Sequence, residues 1–205
     1  MRRSPRQQRA WETVDVLLEA AAQMFDREGL SATTNRIAAR AGYSVGSLYQ
    51  YFADKTALLE ALATRHVDEA AGAVRAILVE ARTDPPSLDQ LMASLVDAII
   101  ASHDDRRGLH AIMHRTASRT GAAARRVERF EAETVPEIAF HLVRAGRGAP
   151  DPALAASAIV TGIDGYLHRV FLVTGDRAEF HRVVGGLVDL HAPASSRTSE
   201  TTESS

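Results

Sequence analysis

Residues 33–55 read TTNRIAARAGYSVGSLYQYFADK, and the parsing of this segment governs everything around it. Ile37, Ala38 and Ala41 recur at helical spacing behind Thr33 and Thr34, either of which can cap a helix start with its hydroxyl. Gly42 tolerates the left-handed backbone in which helices commonly end. Ser44 is placed to cap a second short helix over about Val45–Phe52, with Leu48 and Phe52 four apart on its inner side. Two helices joined across Gly42-Tyr43-Ser44 meet at a steep angle. The first can then brace against a nucleic-acid backbone while the second lies in a major groove. Gly46 and Ser47 allow close approach to bases, Ser44 and Ser47 can exchange hydrogen bonds with them, and Gln50 can read an adenine edge. Tyr49 and Tyr51 are polar-tipped rings suited to flanking phosphates.

Outward from this segment the pattern stays helical. Trp11, Val14, Leu18, Ala21, Ala22 and Phe25 predict a helix over 11–25, stopped at Gly29. Asp54 caps a long helix that Leu58, Leu59, Leu62, Val74, Ile77 and Leu78 carry to about Thr83, where Asp84-Pro85-Pro86 breaks it. Helices over Leu88–Ser102, about Leu109–Ala117, Ala122–Arg144, Pro152–Val173 and Ala178–His191 bring the total to about nine. Pro136 is expected to bend or interrupt the longest of these. No segment alternates with period two for long, so the fold class is all-α. The expected organisation is a DNA-binding head with a basic N-terminal arm over 1–53, a larger helical domain over 54–191, to which the family resemblance given below implies effector binding and dimerisation, and a disordered Ser/Thr-rich tail over 192–205.

Composition removes several classes of function. A chain without cysteine has no disulfides, thiolate metal ligands or cysteine nucleophile. No window is apolar enough for a membrane span, and the N-terminus lacks the apolar run of a signal peptide, so a cytoplasmic location is expected. The overall charge of −2 hides a segregation: residues 1–55 carry eight Arg and Lys against six Asp and Glu, and the remainder is net acidic. Arg2, Arg3, Arg6 and Arg9 form an arm that can reach a minor groove, raise non-specific affinity, or simply be solvated. Lys55 is the sole lysine and sits in a first helical turn, where a cation opposes the helix dipole and a passing phosphate would relieve that conflict.

In its threonine-capped helix, in Ile37-Ala38-x-x-Ala41-Gly42-x-Ser44 and in Leu48-Tyr49-x-Tyr51-Phe52-x-x-Lys55, the chain resembles the TetR family of repressors over roughly residues 10–65. Asn35 departs from the apolar residue frequent at its position. The resemblance implies phosphate contacts from Thr34, Tyr49, Tyr51 and Lys55, base-facing roles for Ser44, Val45, Ser47 and Gln50, and support from Ile37, Ala38, Leu48 and Phe52. It implies a ligand-responsive regulator, a repressor released from double-stranded operator DNA by a small-molecule effector. It also implies a homodimer formed by the last two helices, with Ile159, Gly162, Ile163, Tyr166 and Val170 facing Phe180, Val183 and Leu187; an intramolecular core would use the same stripe.

The implied effector cavity has His103, His110, Met113, His114 and Phe140 as candidate lining. His110 and His114 are four apart, but no acid completes a recognised ligand pattern with His103, so no metal or cofactor is assigned. An enzyme is the first rival reading, since Asp164 and His168 lie one helical turn apart; no Gly-x-Ser-x-Gly elbow, phosphate loop, dinucleotide fingerprint or His-Glu-x-x-His pair supports it. The second rival is a helical protein-interaction module that does not touch DNA.

Overall fold

The computed structural model describes residues 5–116 and 121–191; the expected tail, and Arg2 and Arg3 of the basic arm, lie outside them. The order of elements is α1 (Pro5–Glu28), a 3-10 turn (Gly29–Ser31), α2 (Thr34–Ala41), α3 (Val45–Tyr49), α4 (Lys55–Thr83), α5 (Leu88–His103), α6 (Arg107–Thr116), α7 (Ala122–Arg144), α8 (Pro152–Tyr166) and α9 (Arg177–Asp189). After Tyr166, α8 runs on through a π-helical turn (Leu167–Phe171) and a last turn (Leu172–Thr174). No strand occurs among the described residues, and none of their helices is long and apolar enough to cross a membrane.

Short polar side chains set the helix starts. Thr33, Ser44, Asp54, Ser87, Asp151 and Asp176 each accept a hydrogen bond from a backbone N–H in the first turn that follows. Each such cap contributes about 1 kcal/mol by satisfying a donor the helix cannot. At Ser87 the cap is reciprocal, because the Gln90 side chain accepts from the Ser87 N–H. Gly42 ends α2 at φ 75°, a conformation that strains any residue with a Cβ, and its N–H and that of Tyr43 return to the last carbonyls of the helix.

Three elements depart from the sequence expectation. Helix α1 starts at Pro5 rather than Trp11, so Arg6 and Arg9 belong to the helix and not to an arm ahead of it. Trp11 lies on the outer side at 54% exposure, while Leu18, Ala21, Ala22 and Phe25 are buried as expected, together with Leu17, Ala20 and Met24. Helix α3 stops at Tyr49, and the N–H groups of Gln50, Tyr51 and Phe52 close a tighter turn onto Ser47 and Leu48. Helix α7 continues through Pro136 without interruption.

Two hydrophobic cores lie along α4. The first joins Leu17, Ala21 and Phe25 of α1, Ile37 and Ala38 of α2, Leu48, Phe52, Leu58 and Leu62, with Leu109, Ile112 and Met113 of α6 closing one side. The second joins Val74 and Leu78 of α4 to Leu91, Leu95 and Ile100 of α5, Ile138 and Leu142 of α7, Ile159 and Phe171 of the eighth helix, and Phe180, Val184 and Val188 of α9. Bidentate Arg106–Glu19 bonds at 2.7 and 3.2 Å bring the approach to α6 against α1, and the guanidinium holds the Glu19 carboxyl below the usual carboxylate range.

The second core corrects the expected dimer stripe. Ile159, Ile163 and Phe180 are buried within the chain and are therefore not free to meet a partner. Gly162 does permit a close approach, but to Leu187 of the same chain: a Cβ there would stand 2.8 Å from Leu187 Cδ1. Tyr166 and Leu187 are partly buried against the same core, Val183 is half-buried, and Val170 stays on the surface. The apolar residues that α8 and α9 leave outside are Leu154, Val170, Val173 and Leu190.

Candidate nucleic-acid interface and inner chamber

Helices α2 and α3 divide their residues by face. Ile37, Ala38 and Leu48 are fully buried, which fixes both helices against α1 and the start of α4. The opposite face carries exposed Ser44, Tyr49, Gln50 and Tyr51, with half-buried Thr34, Val45, Ser47 and Lys55. Each residue expected to contact a nucleic acid is thus at least partly exposed, Val45 being packed in part against the first core.

Several of them hold each other. Ser44 Oγ accepts from the Ser47 N–H at 3.0 Å and lies 2.8 Å from Ser47 Oγ, so one hydroxyl both caps α3 and positions the next. The Thr34 hydroxyl meets Tyr49 Oη at 3.0 Å and bridges the two helices. A surface whose polar groups are pre-aimed loses less side-chain freedom on binding. Lys55 Nζ donates to the Leu30 carbonyl at 2.5 Å, which pins the turn after α1 and leaves two further N–H donors on the ammonium. Arg36 is engaged by Glu28 at 2.5 Å and Arg40 by Gln23 at 2.6 Å, so these two cations brace the head internally.

Between the cores lies a partly open chamber of about 530 Å³, lined by α4, α5, α6, α7, α8 and the π-helical turn. His103, His110, Met113 and His114 line it as expected; Phe140 does not. Phe140 lies on the outer face of α7 at 41% exposure, with the Arg82 guanidinium 3.9 Å above its ring. The inward face of α7 passes through Val127, Phe130, Glu131, Thr134 and Ile138, and Phe140, two residues further on, has turned away from it.

The polar end of the chamber is built from residues far apart in the chain. His66 of α4 meets His103, at the end of α5, with Nε2 to Nε2 at 2.9 Å. The His110 ring lies 4.3 Å from that of His66 and 4.9 Å from that of His103. His114 stacks on His168 at 4.0 Å, and His168 Nδ1 approaches Asp164 Oδ1 at 3.0 Å. Burial and the neighbouring imidazoles push His66, His103 and His110 down to about 3, so all three rings are neutral near pH 7. Burial also raises the Glu131 carboxyl, with help from the charges of Asp164 and Glu128, whereas the hydrogen bond from His168 lowers that of Asp164. The remaining wall is apolar, with Val67, Met92, Leu95, Ile99, Ile159 and Ile163. Such a space suits a mostly apolar molecule carrying one or two polar groups.

Sequence reasoning missed His66 and did not place Asp164 or His168 in this chamber. His66 lies four residues after Leu62, on the inward stripe of α4, and that register was the signal available. His168 sits in the π-helical turn, whose altered period has no simple reading in the sequence.

Comparison with known proteins gives a consistent picture. Residues 17–62 match the family described as bacterial regulatory proteins, tetR family, and residues 87–192 match the tetracyclin repressor-like C-terminal domain. The chain is similar to the HTH-type transcriptional repressor KstR2 of Rhodococcus jostii (strain RHA1), at 36% identity over 88 residues, 42% of this chain and 43% of that one. That match spans less than half the length of the curated relative. Among solved structures, a putative TetR-family regulator from Mesorhizobium loti superposes with a TM-score of 0.69 at 21% identity, covering 89% of this chain and 96% of that one. SmeT, the repressor of the Stenotrophomonas maltophilia multidrug efflux pump SmeDEF, gives 0.65 at 19%, covering 89% and 91%. SmeT in complex with triclosan gives 0.61 at 23%, covering 90% and 93%. At such identities the structures speak for the fold, and the two sequence matches, which together take in the head and the whole second half of the chain, establish that it belongs to the TetR family of bacterial regulatory proteins.

Proposed function

We infer that the protein is a ligand-responsive transcriptional repressor that binds operator DNA as a homodimer and is released when a small molecule enters the chamber. The observation that carries this reading is the outward face of α2 and α3. Thr34 and Tyr49 are hydrogen-bonded to each other there, as are Ser44 and Ser47, above a buried core and beside exposed Gln50, while an apolar chamber with a few convergent polar groups lies further along α4. Thr34, Tyr49, Tyr51 and Lys55 take phosphates; Ser44, Val45, Ser47 and Gln50 face bases. The division into a reading head up to residue 53 and a regulatory part over 54–191 follows this split of roles. No catalytic role is proposed for any residue. SmeT in complex with triclosan supports a small organic molecule as the effector class.

Two copies are needed because a reading head this small contacts one half-site, and specificity comes from pairing two half-sites about 34–36 Å apart. Leu154, Val170, Val173 and Leu190 supply the apolar face for that pairing. Gly165 and Gly185 stand on α8 and α9 with open space where a Cβ would be, which lets a partner helix approach closely. An effector that prefers the dimer with wrongly spaced heads lowers operator affinity by its differential affinity for that state.

Titration of genome-selected DNA fragments at rising salt tests the reading. A repressor loses affinity steeply as counterion release weakens, and retains a preference for selected over random duplex. A protein that binds neither would be an interaction module. Sedimentation tests the pairing: the wild-type chain is expected to be dimeric and Leu154→Asp with Leu190→Asp monomeric, and a monomeric wild type would overturn the homodimer.

A further inference from the structure

We propose that His66, His103 and His110 form a binding site for a divalent transition-metal ion of the zinc type, with one coordination position open toward the chamber. One ligand-capable nitrogen from each ring falls in a cluster whose members all lie within 4.8 Å of one another. The rings come from three different helices, α4, α5 and α6, so the cluster is a product of the tertiary fold. His103 and His110 are more than nine-tenths buried.

The hydrogen bonds prepare the cluster for a cation. His103 Nδ1 donates to the Ile99 carbonyl at 2.8 Å, with Ser102 Oγ also near at 3.0 Å. That bond fixes the tautomer and turns the Nε2 lone pair toward His66, the arrangement that supports imidazole ligands in metal sites. His110 Nδ1 is buried with no hydrogen-bond partner, an expense that coordination at this ring would justify. Without an ion, His66 Nε2–H donates to His103 Nε2 across 2.9 Å. With one, the His66 proton resides on Nδ1 instead, which frees its Nε2 lone pair and leaves the ring neutral. Metal–nitrogen bonds of about 2.0–2.1 Å in tetrahedral geometry set ligand nitrogens roughly 3.3 Å apart, so this pair opens by a few tenths of an ångström.

The donor set selects the ion. Three imidazoles without thiolate suit zinc, cobalt, nickel or copper, and offer little to calcium or magnesium, which demand oxygen. Three protein ligands with an open fourth position admit water or a donor atom of an organic molecule. The location gives occupancy a consequence. His66 shares α4 with Leu58 and Leu62, and His110 shares α6 with Ile112 and Met113, all four of them in the core that carries the reading head. An ion that ties α4, α5 and α6 together therefore biases the position of that head. This regulatory half rests on the DNA-binding reading given above, whereas the metal site does not.

The test uses the full chain, freed of metal with a chelator and titrated with Zn²⁺ against a chromophoric competitor and with Co²⁺ for its visible spectrum. The expected result is about one ion per chain and intense four-coordinate Co²⁺ bands. His103→Ala and His110→Ala are each expected to lose at least about tenfold in affinity, with His114→Ala within about twofold of wild type. Because a buried histidine can matter for folding, ¹⁵N-histidine resonances of the wild-type protein provide a second readout: Zn²⁺ should shift the rings of His66, His103 and His110 far more than that of His181. Absence of Zn²⁺ uptake, six-coordinate Co²⁺ spectra, or undiminished affinity in both variants would reduce the cluster to packing. If the ion binds but operator affinity is the same with and without it, the regulatory half fails. If neither form binds DNA, the DNA-binding reading fails and the site stands.

Discussion

At the residue scale, Gln50 and Lys55 separate two kinds of contact. Gln50 ends α3, exposed, with an amide able to read one base edge. Lys55 carries a charge at the start of α4 and spends one of its three N–H bonds on Leu30. Gln50→Ala is expected to relax selection at one base pair by about 1–3 kcal/mol and to leave random-DNA affinity unchanged. Lys55→Ala is expected to weaken binding to every sequence and to reduce the slope of log affinity against log salt by about 1. Competition binding on single-base operator variants at several salt concentrations measures both, and equal losses on operator and random duplex for both variants would remove the assignment of roles.

At the element scale, legibility followed the chemistry. Thr33, Ser44 and Asp54 were readable as caps because capping needs only a short acceptor next to an apolar-periodic run, and Gly42 because a left-handed residue favours glycine. The ends of α1 and α3 were less readable. Arg6, Gln7, Gln8 and Arg9 extend α1 outside the apolar stripe, where periodicity gives no signal, and the turn after Tyr49 is a matter of tertiary anchoring by buried Phe52. The inward residues of α8 could not be told from a partner-facing stripe, since self and partner both ask for apolar spacing. For the same reason the reading head's boundary is functional and not energetic. Its core includes Leu58 and Leu62 of α4 and Ile112 and Met113 of α6, all beyond residue 53. A fragment of residues 1–53 is therefore expected to be largely unfolded by circular dichroism and to bind DNA far more weakly than the full chain; a cooperative melt from that fragment would show that the head closes its own core.

At the scale of the whole molecule, the chamber shapes the response to acid. His66, His103 and His110, pushed down to about 3, are neutral in the fold and titrate near 6.5 once exposed, and burial shifts His141, whose ring nitrogens are both unpartnered, in the same direction. The unfolded chain therefore binds more protons than the folded one below about pH 6.5, and stability that is fully present above that value falls as the pH drops toward 3. Of the groups that face the cluster, Arg106 works in the same direction and Asp164 against it, while His168 adds an imidazole that resists a further positive charge. The carboxylates held low, Glu19, Asp104 and Asp164, lose their contribution only below their ordinary values of 4.5 and 3.8, so between 6.5 and 5 the histidines are opposed chiefly by Glu131, whose raised carboxyl takes up its proton more readily in the fold. Chelator-treated protein is expected to melt progressively lower across that interval, with a slope equivalent to roughly one proton or more taken up on unfolding. Replacing His103 and His110 together by leucine should flatten it. A melting temperature that stays level from pH 6.5 to 5 in the wild-type chain would mean that these rings accept protons without unfolding, and that the polar end of the chamber is open to water.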